Sequence, residues 1–188
     1  MQSITTKLIA ACAAFTWATT SLAHVTLEIA NVETSSYTKA TLRVGHSCDG
    51  LPTAVLRVQV PEGFAGAKPM PKAGWTLATV RAKLAKPYDN NGTAVTDDMS
   101  EITWTANSKE VYSRDDQYDE FALRGKTPAA AGPLWFKVTQ LCKDGDKVGQ
   151  NPWVEVPATG TVTKDLKFPA ALMNVSAPGA AAPEVHKH

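Results

Sequence analysis

Short runs in which apolar and polar residues alternate follow one another along the chain, and this pattern predicts β-strands rather than helices. The first run begins at His24 and has apolar side chains at every second position, at Val25, Leu27 and Ile29. A period of two is typical of a half-buried strand, so we expect His24 on the polar face of the first strand. Glu28 also lies on that face, but four extended residues span about 13 Å, too far for the two side chains to share a metal.

Further runs of strand length recur between turn-forming sequences. We predict strands at 37–46, 53–60, 75–84, 101–106, 117–124, 134–142 and 153–156. Asp49-Gly50 and Asn91-Gly92 are turn signals, whereas 64–73 and 107–116 are predicted loops. No helical pattern of ten residues or more follows the N-terminal segment. Short strands between turns predict an all-β fold, and we expect an immunoglobulin- or cupredoxin-like antiparallel β-sandwich.

The N-terminal segment has the features of a secretory signal peptide. A single lysine precedes an apolar stretch at 8–18 that is too short to span a bilayer. Ser21 and Ala23 are small residues at the −3 and −1 positions of a cleavage site. We therefore expect cleavage between Ala23 and His24, and a mature protein that is periplasmic or otherwise exported and has no membrane span.

A second processing site competes with this one. The sequence Ile9-Ala10-Ala11-Cys12 resembles a lipoprotein cleavage box, and its use would attach lipid to Cys12 and leave His24 inside the chain. Only Leu8 and Ile9 lie between Lys7 and Ala10, which is too little apolar sequence for a lipoprotein signal. We therefore predict the cut at His24.

The composition of the chain changes near Pro169. From there the chain is rich in alanine and proline, a composition that is not expected to pack into a core. We therefore predict three parts, which are a cleaved signal peptide at 1–23, a sandwich domain at 24–168 and a flexible tail at 169–188. The tail ends with two histidines, whose role stays open.

The charges of the chain are nearly balanced, with 19 basic and 18 acidic side chains among 188 residues. Lys7 is the one charged side chain before His24, so the charges of the expected mature protein cancel. A nucleic-acid binder would carry a basic surplus, so we expect no nucleic-acid partner. The sequence has no nucleophile elbow, zinc-protease helix motif or phosphate loop, and we expect a protein that is not an enzyme.

Two cysteines, Cys48 and Cys142, follow the expected cleavage site. In an oxidising compartment such a pair usually forms a disulfide, and we predict one here. The bond would close a loop of about 94 residues and stabilise the fold by about 4–5 kcal/mol in the chain-entropy model. The alternative is a soft metal site built from cysteine and histidine.

Cleavage would give His24 a chemical property that an internal histidine lacks. Its free α-amine and its imidazole can chelate one metal in a six-membered ring, and this pair of nitrogens suits Cu(II). The amine must first lose a proton, so affinity should rise with pH. His46 ends the second predicted strand, and its ring would supply a third nitrogen if the first two strands pair. The alternative is that His46 packs beside the cysteine bridge.

Six segments carry a resemblance to a known protein family. They are His24–Thr26, Arg43–Thr53, Arg57–Gly63, Lys68–Leu77, Tyr118–Phe121 and Trp153–Pro157. In these segments the chain resembles the YcnI-like family of exported bacterial β-sandwich domains. The six segments together are specific for that family, whereas no single segment would be. The resemblance implies a copper-binding protein that works with copper-transport or copper-homeostasis proteins of the cell envelope.

The resemblance also implies that the N-terminal histidine holds Cu(II) in a single-histidine brace, together with a carboxylate and a nearby tryptophan. His24 matches the histidine. Where some relatives have an acidic residue, this chain has His46-Ser47-Cys48. Either His46 replaces the carboxylate ligand, or the carboxylate comes from elsewhere, such as Glu120 or Asp49.

Two tryptophans are candidates for the ring beside the copper, Trp135 first and Trp75 second, and a core position is the alternative for each. The leading hypothesis is a periplasmic copper carrier or metallochaperone that binds Cu(II) through His24, with His46 and Glu120 as further ligands. One competing hypothesis is a copper-dependent oxidase of the monooxygenase type. The other is a non-catalytic interaction module with incidental metal binding.

Overall fold

The computed structural model describes residues 24–180, so the predicted signal peptide and the last eight residues of the predicted tail lie outside the described residues. One turn of 3-10 helix at Lys109–Val111 is the sole helical element in the described part of the chain. In chain order the strands are β1 (Thr26–Leu27), β2 (Asn31–Glu33), β3 (Tyr37–Val44), β4 (Thr53–Gln59), β5 (Ala65–Pro69), β6 (Trp75–Asn90), β7 (Thr93–Ala106), β8 (Asp119–Lys126), β9 (Gly132–Asp144), β10 (Lys147–Trp153) and β11 (Ala171–Ser176).

The strands form two sheets around one apolar core, which confirms the predicted all-β sandwich. The smaller sheet has the order β1-β3-β8-β5, and the larger has the order β2-β11-β9-β4-β7-β6, with β10 beside β9. Aromatic rings fill the core, and Trp75, Trp104, Phe121 and Phe136 are almost fully buried. The pairing of β2 with β11 is parallel, whereas the other pairings between these eleven strands are antiparallel.

The first predicted strand, at 24–30, ends after Leu27, and the chain then crosses to the other sheet. Val25 and Leu27 point into the core as expected, but Ile29 is 52% exposed. The chain bends after Leu27, leaves β1 in the smaller sheet and enters β2 in the larger one. The prediction of one continuous strand with Ile29 inside is therefore wrong, because a strand that changes sheets cannot keep one face toward the core.

The predicted loop at 64–73 contains a strand, β5, which pairs with β8 at the edge of the smaller sheet. Ala67 is its one buried side chain, and the register shifts between Ala65 and Lys68. Glycine, alanine and proline dominate this segment, so it lacks the alternation of large apolar residues by which strands were recognised.

The predicted strands at 75–84 and 101–106 are parts of one long hairpin, β6–β7. Asn91 and Gly92 form its turn with φ angles of 53° and 84°, as a two-residue Asn-Gly turn requires. The outer half of the hairpin projects beyond the pairing of β7 with β4, which covers Glu101–Thr105, and it is largely exposed. An exposed ribbon needs no apolar face, so the sequence pattern there was weak.

The predicted boundary between the sandwich and a tail at 169 is wrong, because β11 lies within the predicted tail. β11 pairs with β9 on one side and with β2 on the other. Ala171, Met173 and Val175 point into the core and are at most 4% exposed. The strand shows the expected period of two, but its six residues are embedded in an alanine- and proline-rich sequence.

Cys48 and Cys142 form the predicted disulfide, with Cα atoms 5.8 Å apart. The bond joins the loop after β3 to β9 and so connects the two sheets. It contradicts the alternative of a soft cysteine and histidine metal site, since neither sulfur remains a free thiolate, and it fits an exported protein. Across residues 24–180, no helix has the length and apolar character to cross a membrane.

Deleting residues 171–188 is expected to unfold the protein, whereas deleting 181–188 should leave its stability unchanged. The longer deletion removes β11 and opens the core at Met173, a side chain whose burial is worth about 2–5 kcal/mol. Urea denaturation followed by circular dichroism would measure both variants. Equal midpoints for the two deletions would show that β11 does not belong to the folding unit.

Candidate metal centre

Antiparallel pairing of β1 with β3 brings the two predicted histidines to the same end of the smaller sheet. Thr26 pairs with Arg43, so the same register, continued by two residues, sets His24 opposite Gly45 and beside His46. β1 is the edge strand of this sheet, and both histidine side chains are half-buried. The structure therefore brings together His24 and His46.

Trp153 lies against both histidine rings. Its ring centroid is 5.6 Å from that of His24 and 6.3 Å from that of His46, with interplanar angles of 66° and 64°. Trp153 ends β10 in the larger sheet and is 1% exposed. The site thus combines two histidines beside the smaller sheet with a buried ring from the larger one.

The side-chain amide of Gln140 connects this tryptophan to the histidine loop. Its Oε1 accepts a hydrogen bond from Nε1 of Trp153 at 3.1 Å. Its Nε2 donates to the carbonyl oxygen of His46 at 2.9 Å and to Oγ1 of Thr53 at 2.7 Å. Gln140 has no exposed surface, so these bonds are not replaced by water.

One nitrogen of the His46 ring is held by its own loop. Nδ1 lies 3.0 Å from the carbonyl oxygen of Ser47, and a carbonyl oxygen can only accept, so Nδ1 carries the proton in this hydrogen bond. The neutral ring then has its lone pair on Nε2. A histidine ligand oriented by a hydrogen bond at its other nitrogen is the usual arrangement at protein metal sites.

The ring of His24 is kept neutral by its surroundings. Burial, and then the proximity of His46, lower the pKa of His24 below its ordinary value. Its Nε2 atom is buried and has no hydrogen-bond partner within residues 24–180, so a protonated ring would bury a charged N–H without an acceptor there. A neutral imidazole is the form that binds a metal.

Asp115 fastens the backbone beside His46. Its Oδ1 accepts hydrogen bonds from the hydroxyl of Ser47 at 2.6 Å and from the Ser47 N–H at 3.0 Å. These bonds lower the pKa of Asp115, and the nearby charge of His46 adds to the effect. Asp115 therefore holds the loop in place as a carboxylate.

Glu120 is not brought to the histidines. Glu120 pairs with Arg43 on β3, and Arg43 pairs with Thr26 on β1, so Glu120 lies two strands away from Thr26. Its carboxylate accepts a hydrogen bond from the hydroxyl of Tyr118. The strand spacing and the rise along the strand separate the Cα atoms of Glu120 and His24 by about 12 Å. Asp49 is exposed at the tip of its predicted turn, with a φ of 49°.

The two predicted tryptophans lie elsewhere. Trp135 pairs with Leu172 of β11 and is half-buried. Trp75 is 8% exposed and packs edge to face against Phe121 in the core, with ring centroids 5.0 Å apart. Neither ring lies in the aromatic cluster of His24, His46 and Trp153, so Trp153 has the position that was expected of Trp135.

Within residues 24–180, no three side chains of histidine, cysteine, aspartate or glutamate lie together in a group that could hold a metal. The predicted set of His24, His46 and Glu120 is thus not assembled as three side chains. The histidines provide two imidazoles, and processing at Ala23 would add the α-amine of His24. Such a set consists of nitrogen donors alone.

Three residues of this site were missed by the sequence analysis. Gln140 carried a signal, because it falls on the inward face of β9 between Val138 and Cys142, where an uncharged polar side chain must find buried partners. Trp153 lay in a recognised motif but had no feature that set it apart from the other tryptophans. Asp115 lies in an irregular polar loop, where no pattern indicates its contact with Ser47.

Comparisons with known proteins support the fold. Residues 24–175 match a protein family described as a domain of unknown function (DUF1775). No curated protein matches the chain.

Among solved structures, the chain is similar to an uncharacterized protein from Nocardia farcinica with an immunoglobulin-like fold. The TM-score is 0.59 at 23% identity, and the match covers 84% of this chain and 100% of that one. This likeness confirms an immunoglobulin-like sandwich. The seventh ScaB type I cohesin from Pseudobacteroides cellulosolvens gives a TM-score of 0.39 at 14% identity over 88% of this chain and 97% of that one. This score is too low to establish a common fold.

Replacing Gln140 with leucine is expected to lower the free energy of unfolding by about 2–4 kcal/mol, because the Trp153 N–H and the His46 carbonyl lose their buried partner. Urea denaturation would measure the change. Gln150 is an exposed glutamine on the neighbouring strand β10, and Gln150→Leu serves as the matched control with little expected effect. Equal effects of the two substitutions would contradict the role of the Gln140 network.

The lowered pKa of Asp115 predicts a loss of stability in acid. In the pH range between its folded-state pKa and the ordinary value of about 3.9, the unfolded chain binds a proton that the folded chain does not. The contribution of Asp115 is therefore complete above that range and is lost as the pH falls through it.

The variant Asp115→Ala should flatten this part of the curve of unfolding free energy against pH. Asp116→Ala is the control, because Asp116 is exposed and its side chain bonds to Arg114 rather than to the His46 loop. Urea titrations at a series of acidic pH values would measure the slopes. The same slope in Asp115→Ala as in the parent would contradict the prediction.

Proposed function

This chain belongs to the DUF1775 family, a family of unknown function, and we propose that it is an exported copper-binding protein. In this proposal the mature chain begins at His24 and holds one Cu(II) ion through the amine and imidazole of that residue. The ion is cargo that the protein carries to or from copper-transport or copper-homeostasis proteins of the cell envelope. The six sequence segments that resemble the YcnI-like family support this finer assignment.

The observation that carries the proposal is the meeting of His24 and His46 at the ring of Trp153. Two imidazoles and one amine would give three nitrogen donors, and Cu(II) prefers nitrogen and oxygen donors in a tetragonal arrangement. His46, whose ring is oriented through Nδ1, is proposed as the replacement for the carboxylate of the brace. The residues present therefore fit a Cu(II) ion.

The chain contributes orientation and a favourable protonation state. Trp153 and Gln140 hold the loop of His46. The lowered pKa of His24 favours the neutral form of its imidazole. The α-amine, with an ordinary pKa of about 8, is the group that must still lose a proton. Binding should therefore tighten as the pH rises through the titration of the amine.

A carrier is preferred over an enzyme because the sequence has none of the motifs of the common exported enzymes. The histidines are half-buried against Trp153.

A copper oxidase of the monooxygenase type is the second candidate. The proximity of His24 to His46 favours it, because such an enzyme would use two imidazoles together with the amine. Production of hydrogen peroxide by the copper-loaded protein in the presence of ascorbate, abolished in His46→Ala, would support this function. The carrier proposal expects none above the level of free copper.

Titration of the mature protein with Cu(II) tests the proposal. Both tail histidines, His186 and His188, are replaced with alanine so that they cannot bind the metal. A protein that begins at His24 should bind one Cu(II) with sub-micromolar affinity in competition with a mild chelator, and quench the fluorescence of nearby Trp153. A matched protein with one alanine added before His24 should lose this affinity, because its α-amine is displaced from the chelate. Equal affinity in the two proteins would overturn the proposal.

Substitution of the candidate ligands separates His46 from Glu120. We expect His46→Ala to lower the affinity for Cu(II) by at least about tenfold, since even mutations of residues that only orient a metal ligand typically lower affinity by that much. Glu120→Gln should change it little, since Glu120 lies two strands away. The reverse ranking, measured in the same competition assay, would identify a carboxylate brace instead.

A further inference from the structure

A second feature of the molecule is a groove at the opposite end of the smaller sheet. It has a volume of about 920 Å³ and lies between β5 and β8 on one side and the β6–β7 hairpin on the other. Tyr37, at the start of β3, lines it, whereas His46 follows the end of β3. The eight residues of β3 separate the two ends by about 23 Å, so the groove is distinct from the histidines.

The groove is lined by basic side chains that have no acidic partner. Five cations line it, and none forms a salt bridge within residues 24–180. They come from β5, β6 and β8, and they are Lys68, Lys83, Lys86, Arg124 and Lys126. All five are exposed at the surface.

The three acidic side chains of the groove are already engaged. Glu62 accepts a hydrogen bond from the N–H of Ala85 at 3.0 Å, and Asp89 accepts one from that of Gly92 at 3.1 Å. Asp98 is 5% exposed and accepts from the hydroxyl of Tyr88 and from a backbone N–H of β5. These carboxylates keep their negative charge, so five cations against three carboxylates leave the lining of the groove with a formal net charge of +2.

Three positive charges lie side by side across the sheet that borders the groove. Arg124 pairs with Lys39 on β3 and with Lys68 on β5. Like charges directly opposite one another destabilise a sheet. The repulsion within this row lowers the stability of the sheet, and a bound anion would offset it.

Tyr37 keeps two of the cations at the edge of the groove. Its ring lies 4.7 Å from the guanidinium carbon of Arg124 and 5.9 Å from Nζ of Lys126. Tyr37 is 64% exposed, so its ring also offers a flat apolar surface to a ligand. A mixture of cations and an exposed aromatic ring suits a peptide with acidic and apolar side chains.

We propose that this groove binds an acidic, extended segment of a partner protein. The cations are spread over three strands along the groove, so a peptide with several carboxylates meets more of them than a single phosphate does. The cations also lie on both walls of a concave groove, an arrangement that an extended chain can follow more closely than a flat membrane surface can. Charge complementarity of this kind mainly provides specificity and fast association.

Binding of a short fluorescein-labelled peptide that alternates glutamate with serine tests the proposal by fluorescence anisotropy. The mature protein is used without copper, so the result does not depend on the metal site. We expect saturable binding that weakens as sodium chloride is added. Arg124→Glu combined with Lys126→Glu should weaken it by roughly tenfold or more.

Lys164→Glu combined with Lys167→Glu changes the net charge equally outside the groove, and it should leave peptide binding close to that of the parent. Thermal unfolding of the groove variant should be unchanged or raised, because the carboxylate that replaces Arg124 would lie between Lys39 and Lys68. An equal loss in both double variants would overturn the proposal in favour of a net-charge effect. Displacement of the peptide by low concentrations of inorganic phosphate, or groove-dependent sedimentation with phosphatidylglycerol vesicles, would overturn it in favour of those ligands.

Discussion

The side chain of Gln140 lies between the two sheets without any exposed surface, and its amide joins Trp153, Thr53 and the backbone of His46. A buried amide is stable only when its donors and acceptor are all satisfied. The position of each partner is therefore constrained by the others. The geometry of the histidine site follows from this constraint, because Trp153 contacts both rings and His46 belongs to the bonded loop.

The two ends of the smaller sheet have different chemistry. At one end, the disulfide and Asp115 fasten the loop of His46, where two imidazoles could act as nitrogen donors to a borderline metal ion. At the other end, cations surround a groove whose carboxylates are engaged by the hairpin. The strand β3 runs between the two ends, so the proposed metal and the proposed partner would not compete for space.

The net charge of this chain does not predict how charge is distributed over its folded surface. From His24 onward the sequence carries equal numbers of acidic and basic side chains, which argued against a nucleic-acid partner. Folding nevertheless gathers Lys39, Lys68 and Arg124 in one row, because β3, β5 and β8 are neighbours in the sheet but distant in sequence. Local fields depend on strand order, and composition does not contain it.

The sequence by itself determined the all-β class, the turns at Asp49 and Asn91 and the pairing of the cysteines. These depend on local alternation, on backbone preferences and on the presence of two cysteines after the expected cleavage site. It brought His46 near His24 only on the condition that the first two predicted strands pair, which the structure decided. It could not determine that Trp153 rather than Trp135 contacts the histidines, that Glu120 lies two strands away, or that β11 completes the core. These facts depend on contacts between segments that are far apart along the chain, and no local pattern encodes which distant segments meet; the tertiary structure alone decided them.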